Sequence, residues 1–400
     1  MRVTLLSGEY PPLRGGVADY TALLATALGR QGVEVSVLTS ARATPRADDG
    51  DVRILPTLKS WGVGLWREVS QQLDILDPDI LHIQYQTGAF EMKIGVNLLP
   101  WLNRLRRLRS RTVVTFHDLK QPYLLPKLGP IRHAATWMLG TGADAVVATT
   151  TEDFHRLAGN AIAQTTRWTW ARRPLAIVPI GSNIPSDPPG AYDRRSWRES
   201  LSVRDEECLV AFFGFLGPNK GIHTLISAFE TLVRRGVSVR LLMIGASAGD
   251  TGNSDWRYVN AIRQRLDEPD IRGKVGWTGY VGASDVAGYL RAADVCALPF
   301  KEGASLRHGT LIAALVQHLP IVTTISPSLE SPAGFPVLRS EGNCLLVRPE
   351  EAGELAEAIE HLANSRELRT TLANGAAQMA EAFRWDSIAL ANLRVYQAIL

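Results

Sequence analysis

Short, β-branched apolar runs alternate along this chain with stretches in which apolar residues recur every three or four positions. The run over residues 3–7 ends at Gly8, and a helix-period stretch follows over 17–29. Further runs at 33–38, 80–84, 112–116 and 145–148 continue the series, most of them separated by helical patterns. Strands alternating with helices predict parallel βαβ units wound into one sheet. Pro and Gly then crowd residues 178–190, which reads as an exposed connection between domains. Beyond it the alternation restarts, with strands predicted at 209–213, 239–244, 274–278, 295–298, 321–324 and 344–347. Helices are predicted at 222–235, 256–266, 284–292 and 352–363, and a terminal helix within 379–400. The boundaries predicted are 1–183 together with 384–400 for one domain, and 184–383 for the other. Two such halves place a ligand crevice at the carboxyl ends of their strands, facing across a cleft.

Composition narrows the class. With 400 residues, 46% of them hydrophobic, the chain suits two cores better than one. Its 43 basic and 40 acidic residues leave a net charge of +3, with no nucleic-acid signature in the bulk. Cys208, Cys296 and Cys344 are widely spaced and form no Cys-x-x-Cys pair, so they read as buried thiols in a reducing compartment. No secretory leader is visible, and the apolar stretch 310–325 is interrupted by Gln317, His318 and Pro320. A cytoplasmic location is the expectation.

Four loops carry the candidate chemistry. Gly8 to Gly16 joins the first strand to the first helix, and Gly15 and Gly16 at a helix start let backbone N–H groups approach an anion. A merely tight turn is the plainer reading. The dinucleotide fingerprint Gly-x-Gly-x-x-Gly is absent, which argues against a nicotinamide enzyme. His117 follows a strand at its carboxyl end, where it can meet a ligand hydroxyl while Asp118 fixes its tautomer. A capping or internally satisfied histidine is the alternative. Gly214 to Gly221 departs from a P-loop because Lys220 precedes Gly221, yet Lys220 either can neutralise a departing diphosphate or is an ordinary solvated surface lysine. Glu302-Gly303-Ala304-Ser305-Leu306 leads into another helix and offers a second anion cradle, with Glu302 set to accept from sugar hydroxyls or to cap the helix. Asp77-Pro78-Asp79 has metal-motif spacing but precedes a strand, on the wrong side for a ligand, so a turn is expected.

Taken together these segments resemble the family 4 retaining glycosyltransferases of GT-B fold, over nearly the whole chain. The resemblance implies two Rossmann-like domains with parallel sheets facing across a cleft, and a C-terminal helix crossing back to the first domain. It implies that Gly15 and Gly16 contact the donor phosphate and His117 the donor sugar. Lys220 would bind the diphosphate, and Glu302 with the backbone of Gly303 to Leu306 would hold sugar and phosphate. Tyr280 and Val281, in Trp277-Thr278-Gly279-Tyr280-Val281, match the loop that reads the base. Two positions depart from the family pattern. Phe215 stands where the lysine loop usually has Arg, and Thr310 stands where a second glutamate is usual. Each loss is expected to cost about 1–3 kcal/mol of donor binding. Arg307, near the start of the same helix, is the candidate replacement for the missing positive charge.

The expected activity is transfer of a sugar, with retention, from a UDP- or GDP-linked donor to a carbohydrate, lipid-linked or small-molecule acceptor, without cofactor or metal. The rival expectations are a non-catalytic binding protein of the same fold and a nucleotide-sugar epimerase. The basic stretch 101–111 spaces Leu102, Leu105 and Leu108 among arginines. It reads either as an ordinary packed helix or as a peripheral contact with anionic lipid.

Overall fold

The structure is a computed structural model that describes residues 1–13, 15–45, 50–105, 109–119, 129–159, 173–245, 256–326 and 331–400. The strands are β1 (Arg2–Ser7), β2 (Glu34–Ser40), β3 (Arg53–Leu58), β4 (Ile80–Tyr85), β5 (Arg111–Phe116), β6 (Ala145–Ala148) and β7 (Leu175–Ile177), followed by β8 (Cys208–Phe213), β9 (Val239–Ile244), β10 (Val275–Trp277), β11 (Val295–Leu298), β12 (Ile321–Thr324) and β13 (Leu345–Val347). The helices before the domain connection are α1 (Gly16–Arg30), α2 (Gly64–Leu76), α3 (Leu99–Leu105), α4 (Gly129–Gly142) and α5 (Thr151–Ala158). After it come α6 (Arg194–Ser200), α7 (Ile222–Arg234), α8 (Trp256–Leu266), α9 (Ala283–Ala292), α10 (Gly309–Val316), α11 (Ala352–Asn364), α12 (Arg366–Ala380) and α13 (Trp385–Gln397).

Two parallel sheets result. The first has seven strands in the order β3-β2-β1-β4-β5-β6-β7, and the second has six in the order β10-β9-β8-β11-β12-β13. The chain divides into two compact units: Met1–Gly181 with Trp385–Leu400 and a short returning segment, and Ser182–Ser328 with Pro336–Arg384. Alternate residues of one strand bury on opposite faces of the first sheet. Val3, Leu5, Val37 and Val113 lie in one core cluster, while Leu6, Leu38, Ile83 and Val114 lie in the other. Burial on both faces explains why these strands read as continuous apolar runs without alternation.

Several predicted elements change in detail. β3 and β7 were not foreseen; each is an edge strand, one carrying Pro56 and the other only three residues long. The terminal stretch is not one helix from residue 379: α12 ends at Ala380, a tight turn buries Phe383, and Arg384 takes an extended backbone before α13 starts. α13 packs on α1 within the first unit, where Ile388, Ala389, Val395 and Tyr396 join the core. Arg30 and Asp386 pair across these helices at 3.0 Å.

In the basic stretch, α3 runs to Leu105, and residues 106–108 lie outside the described residues. Leu105 is 79% exposed and so leaves the expected leucine face, while Arg104 is held by Asp144 at 3.2 Å. All three cysteines are free and buried, and burial pushes each thiol up to about 12. Among the described residues, no helix is long and apolar enough to cross a membrane.

Candidate functional site

Strand order places the loops. In the first unit the winding reverses between β1 and β4, and in the second between β8 and β11. Loops leaving the carboxyl ends of such neighbouring strands part to opposite faces and leave a crevice. The segments picked out by sequence leave β1, β5, β8, β10 and β11.

In the first unit, Gly8 follows β1 so closely against the loop after β4 that any side chain on it would collide with the Ala89 carbonyl. The Glu9 carboxylate lies against Gly15 and closes that side of the helix start, whereas a side chain on Gly16 would meet nothing within 4 Å. Gly16 is therefore the approachable glycine of the pair. Burial raises the Glu9 carboxyl above its ordinary range, opposed by Arg42.

His117 sits just beyond β5, with Nε2 3.0 Å from Oε1 of Gln84 and its ring edge-on to Tyr20 at 4.5 Å. Burial pulls its pKa down to about 3, so the imidazole is neutral near pH 7. The proton facing the Gln84 oxygen leaves Nδ1 as an acceptor for a ligand hydroxyl. Its tautomer is thus fixed by Gln84, where the sequence had pointed to Asp118. Beneath it, His82 is fully buried in β4, with Nδ1 2.7 Å from the Tyr396 hydroxyl and Nε2 2.7 Å from Thr115 Oγ1. Asp77 and Asp79 turn the chain into β4 and are both taken up by Arg2, Asp77 by its guanidinium at 3.0 Å and Asp79 by its backbone N–H at 2.7 Å.

In the second unit, Gly214, Gly245 and Gly279 follow β8, β9 and β10 at φ of 142°, 126° and 66°. A Cβ on Gly245 would stand 2.7 Å from the Gly214 carbonyl oxygen, so these strand ends can approach only without side chains. The exposed rings of Phe215 and Tyr280 flank this glycine cluster in sequence, Tyr280 followed by half-buried Val281.

The lysine loop is a tight turn over Pro218–Lys220 closed by Gly221 at φ 67°, packed so that any Cβ on Gly221 would strike the Pro299 carbonyl. Lys301 N–H donates to the Asn219 carbonyl at 3.1 Å, and Asn219 Nδ2 donates to Glu302 Oε1 at 3.1 Å. These bonds stitch the β8 and β11 loops together and fix the orientation of Glu302. Lys220 Nζ lies 5.0 Å from the centre of the Phe300 ring, and burial lowers its pKa. Among the described residues, no carboxylate pairs with it.

The cradle after Glu302 differs from expectation in its free amides. Gly303 N–H bonds Phe300, Ala304 N–H bonds Thr324, and Ser305 N–H donates to Nδ1 of His308 at 3.3 Å. Gly303 itself, at φ 86°, presses against the Ile325 carbonyl at 2.6 Å from a built Cβ. What remains open is the half-buried Leu306 and the first N–H groups of α10 at Gly309 and Thr310, which have no intrahelical acceptor. Arg307 is exposed beside them. The Thr310 hydroxyl is enclosed without a hydrogen-bond partner, and its methyl faces Gly214.

His308 was not singled out by sequence. Its ring stacks on Phe300, with centroids 3.9 Å apart and planes 27° from parallel. Burial, then the charges of Lys220 and Arg307, pull its pKa down to about 4. Gln84, Asn219 and Tyr396 were likewise missed, since each acts through a partner distant in sequence. Lys220, Glu302, Arg307 and Thr310 are brought together within the second unit, and Gly16 and His117 belong to the first.

Comparison with known proteins agrees with the fold. The family model described as "Glycosyltransferase Family 4" matches residues 14–164, and "Glycosyl transferases group 1" matches residues 207–365. Among curated proteins, the D-inositol 3-phosphate glycosyltransferase of Actinosynnema mirum is 26% identical over 423 residues, covering 99% of this chain and 96% of that protein. That of Corynebacterium efficiens is 27% identical over 422 residues, covering 97% and 93%. Among solved structures, sucrose-phosphate synthase from Thermosynechococcus elongatus aligns with a TM-score of 0.69 at 21% identity, covering 100% of this chain and 98% of that one. HepE from Anabaena, solved with UDP, aligns with a TM-score of 0.69 at 17% identity over 100% of both chains.

Two all-parallel α/β units with these structural neighbours define the GT-B fold. The chain belongs to the family 4 glycosyltransferases.

Proposed function

We propose that this glycosyltransferase takes its sugar from a nucleoside-diphosphate donor and transfers it with retention to a carbohydrate or phosphorylated polyol acceptor. The observation that carries this reading is Lys220: a cation, partly withdrawn from water, held at a strand switch point with no carboxylate partner among the described residues. Burying a charge unpaired is costly, so such a lysine awaits an anion. A diphosphate leaving group develops negative charge as the glycosidic bond breaks, and a preset cation stabilises that charge without reorganising. The open N–H groups at the start of α10 add a second source of positive potential.

Glu302, oriented by Asn219, supplies an acceptor for sugar hydroxyls, and the neutral His117 presents Nδ1 to a hydroxyl-bearing ligand. In the retaining mechanism proposed, the departing diphosphate takes the acceptor proton on the same face of the sugar. No protein nucleophile is required. Lys220 serves in place of a divalent ion, and the Asp77 and Asp79 carboxylates are engaged by Arg2. The names of the relatives and the UDP bound to HepE favour a uridine donor and a phosphorylated cyclitol among acceptors to try first.

A donor screen by mass spectrometry tests the reading. Release of UDP or GDP from one activated sugar, dependent on an added acceptor, is expected. Turnover of none of a broad panel, together with no thermal shift on adding UDP or GDP, would overturn it.

A further inference from the structure

The ring of His308 is fixed by two contacts in a way that a space-filling residue does not require. It lies nearly parallel on Phe300, at 3.9 Å between centroids. Its Nδ1 accepts the backbone N–H of Ser305 at 3.3 Å. Lys220, which approaches the same Phe300 ring at 5.0 Å, and Arg307, the preceding residue, both act on it as positive charges. An imidazole whose Nδ1 accepts, in the field of two cations, stays neutral and carries its single proton on Nε2. That leaves one directional donor, locked in orientation, beside the unpaired lysine.

We propose that His308 is a donor-binding residue, giving its Nε2–H to a diphosphate oxygen of the sugar donor alongside Lys220. The inference rests on the nucleotide-sugar reading above and deepens it. It also accounts for a departure seen in the sequence. Phe215 brings no hydrogen bond to the lysine loop, and Phe cannot imitate a guanidinium clamp. His308 approaches the same lysine from the β11–α10 loop and supplies a neutral donor there.

The test compares His308→Phe, which keeps a flat ring for Phe300 but removes both nitrogens, with His308→Gln, whose amide nitrogen reaches where Nε2 stood. Titration calorimetry with UDP, GDP and the free nucleosides is run on wild type and both variants, with circular dichroism confirming that each is folded. Expected is about tenfold weaker nucleoside-diphosphate binding in His308→Phe, the loss of one hydrogen bond to a charged group. His308→Gln should recover most of that loss, and nucleoside binding should move in neither variant. Wild-type affinity for the diphosphate in His308→Phe overturns the inference, as does a loss of equal size for the nucleosides. Failure of the wild-type protein to bind any nucleoside diphosphate overturns the underlying reading instead.

Discussion

The hydroxyl of Tyr396, four residues from the end of the described chain, lies 2.7 Å from Nδ1 of His82 in the middle of β4. Both side chains are fully buried. The last helix is thereby joined to the strand floor beneath His117 by a hydrogen bond as well as by apolar packing. Tyr396→Phe removes the hydroxyl and leaves a buried ring nitrogen unpaired. A loss of about 1–3 kcal/mol in unfolding free energy is expected, read from urea denaturation. An unchanged urea midpoint would show that the bond contributes nothing.

Buried histidines also set the pH response. His82 has its pKa pulled down from 6.5 to about 3 by burial, with the charge of His117 second. An unfolded chain takes up this proton near pH 6.5 while the folded one does not until about 3. Stability from this group is therefore complete above pH 6.5 and is lost as pH falls toward 3. The unfolding free energy from urea denaturation should fall through that window, with the His82 contribution flat above neutrality and sloping by about 1.4 kcal/mol per pH unit below it. His117 and His308, also depressed by burial, act in the same direction.

For Lys220, substitution by Ala or Gln should cut turnover by about 10²–10³-fold, the usual consequence of losing a preset transition-state charge. Steady-state kinetics with the donor found by screening would show it, with the larger effect on kcat. Because Lys220 supplies the charge, excess EDTA should leave wild-type turnover unchanged. Abolition by EDTA with rescue by Mg²⁺ or Mn²⁺ would contradict the proposed mechanism.

Gly221→Ala should harm the same step without touching a charged group. At φ 67° the new Cβ would be driven into the Pro299 carbonyl, so the turn holding Lys220 must shift. The left-handed backbone alone costs about 1–2 kcal/mol for a residue with a Cβ. A lower melting temperature is expected together with reduced turnover, measured on protein still folded by circular dichroism. Turnover equal to wild type would show that Lys220 needs no such placement.

The apolar runs and helical periods by themselves determined two wound parallel sheets, because strands buried on both faces must be continuously apolar and sequential parallel strands need crossovers. The positions of the loop glycines, Lys220, Glu302 and His117 after strand carboxyl ends were legible because each follows a short apolar run. Edge strands β3 and β7 escaped, being short or proline-bearing.

Only the tertiary structure decided which groups in those loops remain available. The amides of Gly303, Ala304 and Ser305 proved to be spent on Phe300, Thr324 and His308. Glu9 closes Gly15 but not Gly16, Asn219 aims Glu302, and His308 comes to rest on Phe300 beside Lys220. Such pairings join residues far apart in sequence, and a local pattern contains no term for them. Hydrogen bonds and ring contacts are set by how two neighbouring loops pack, and packing is known only once the chain has folded.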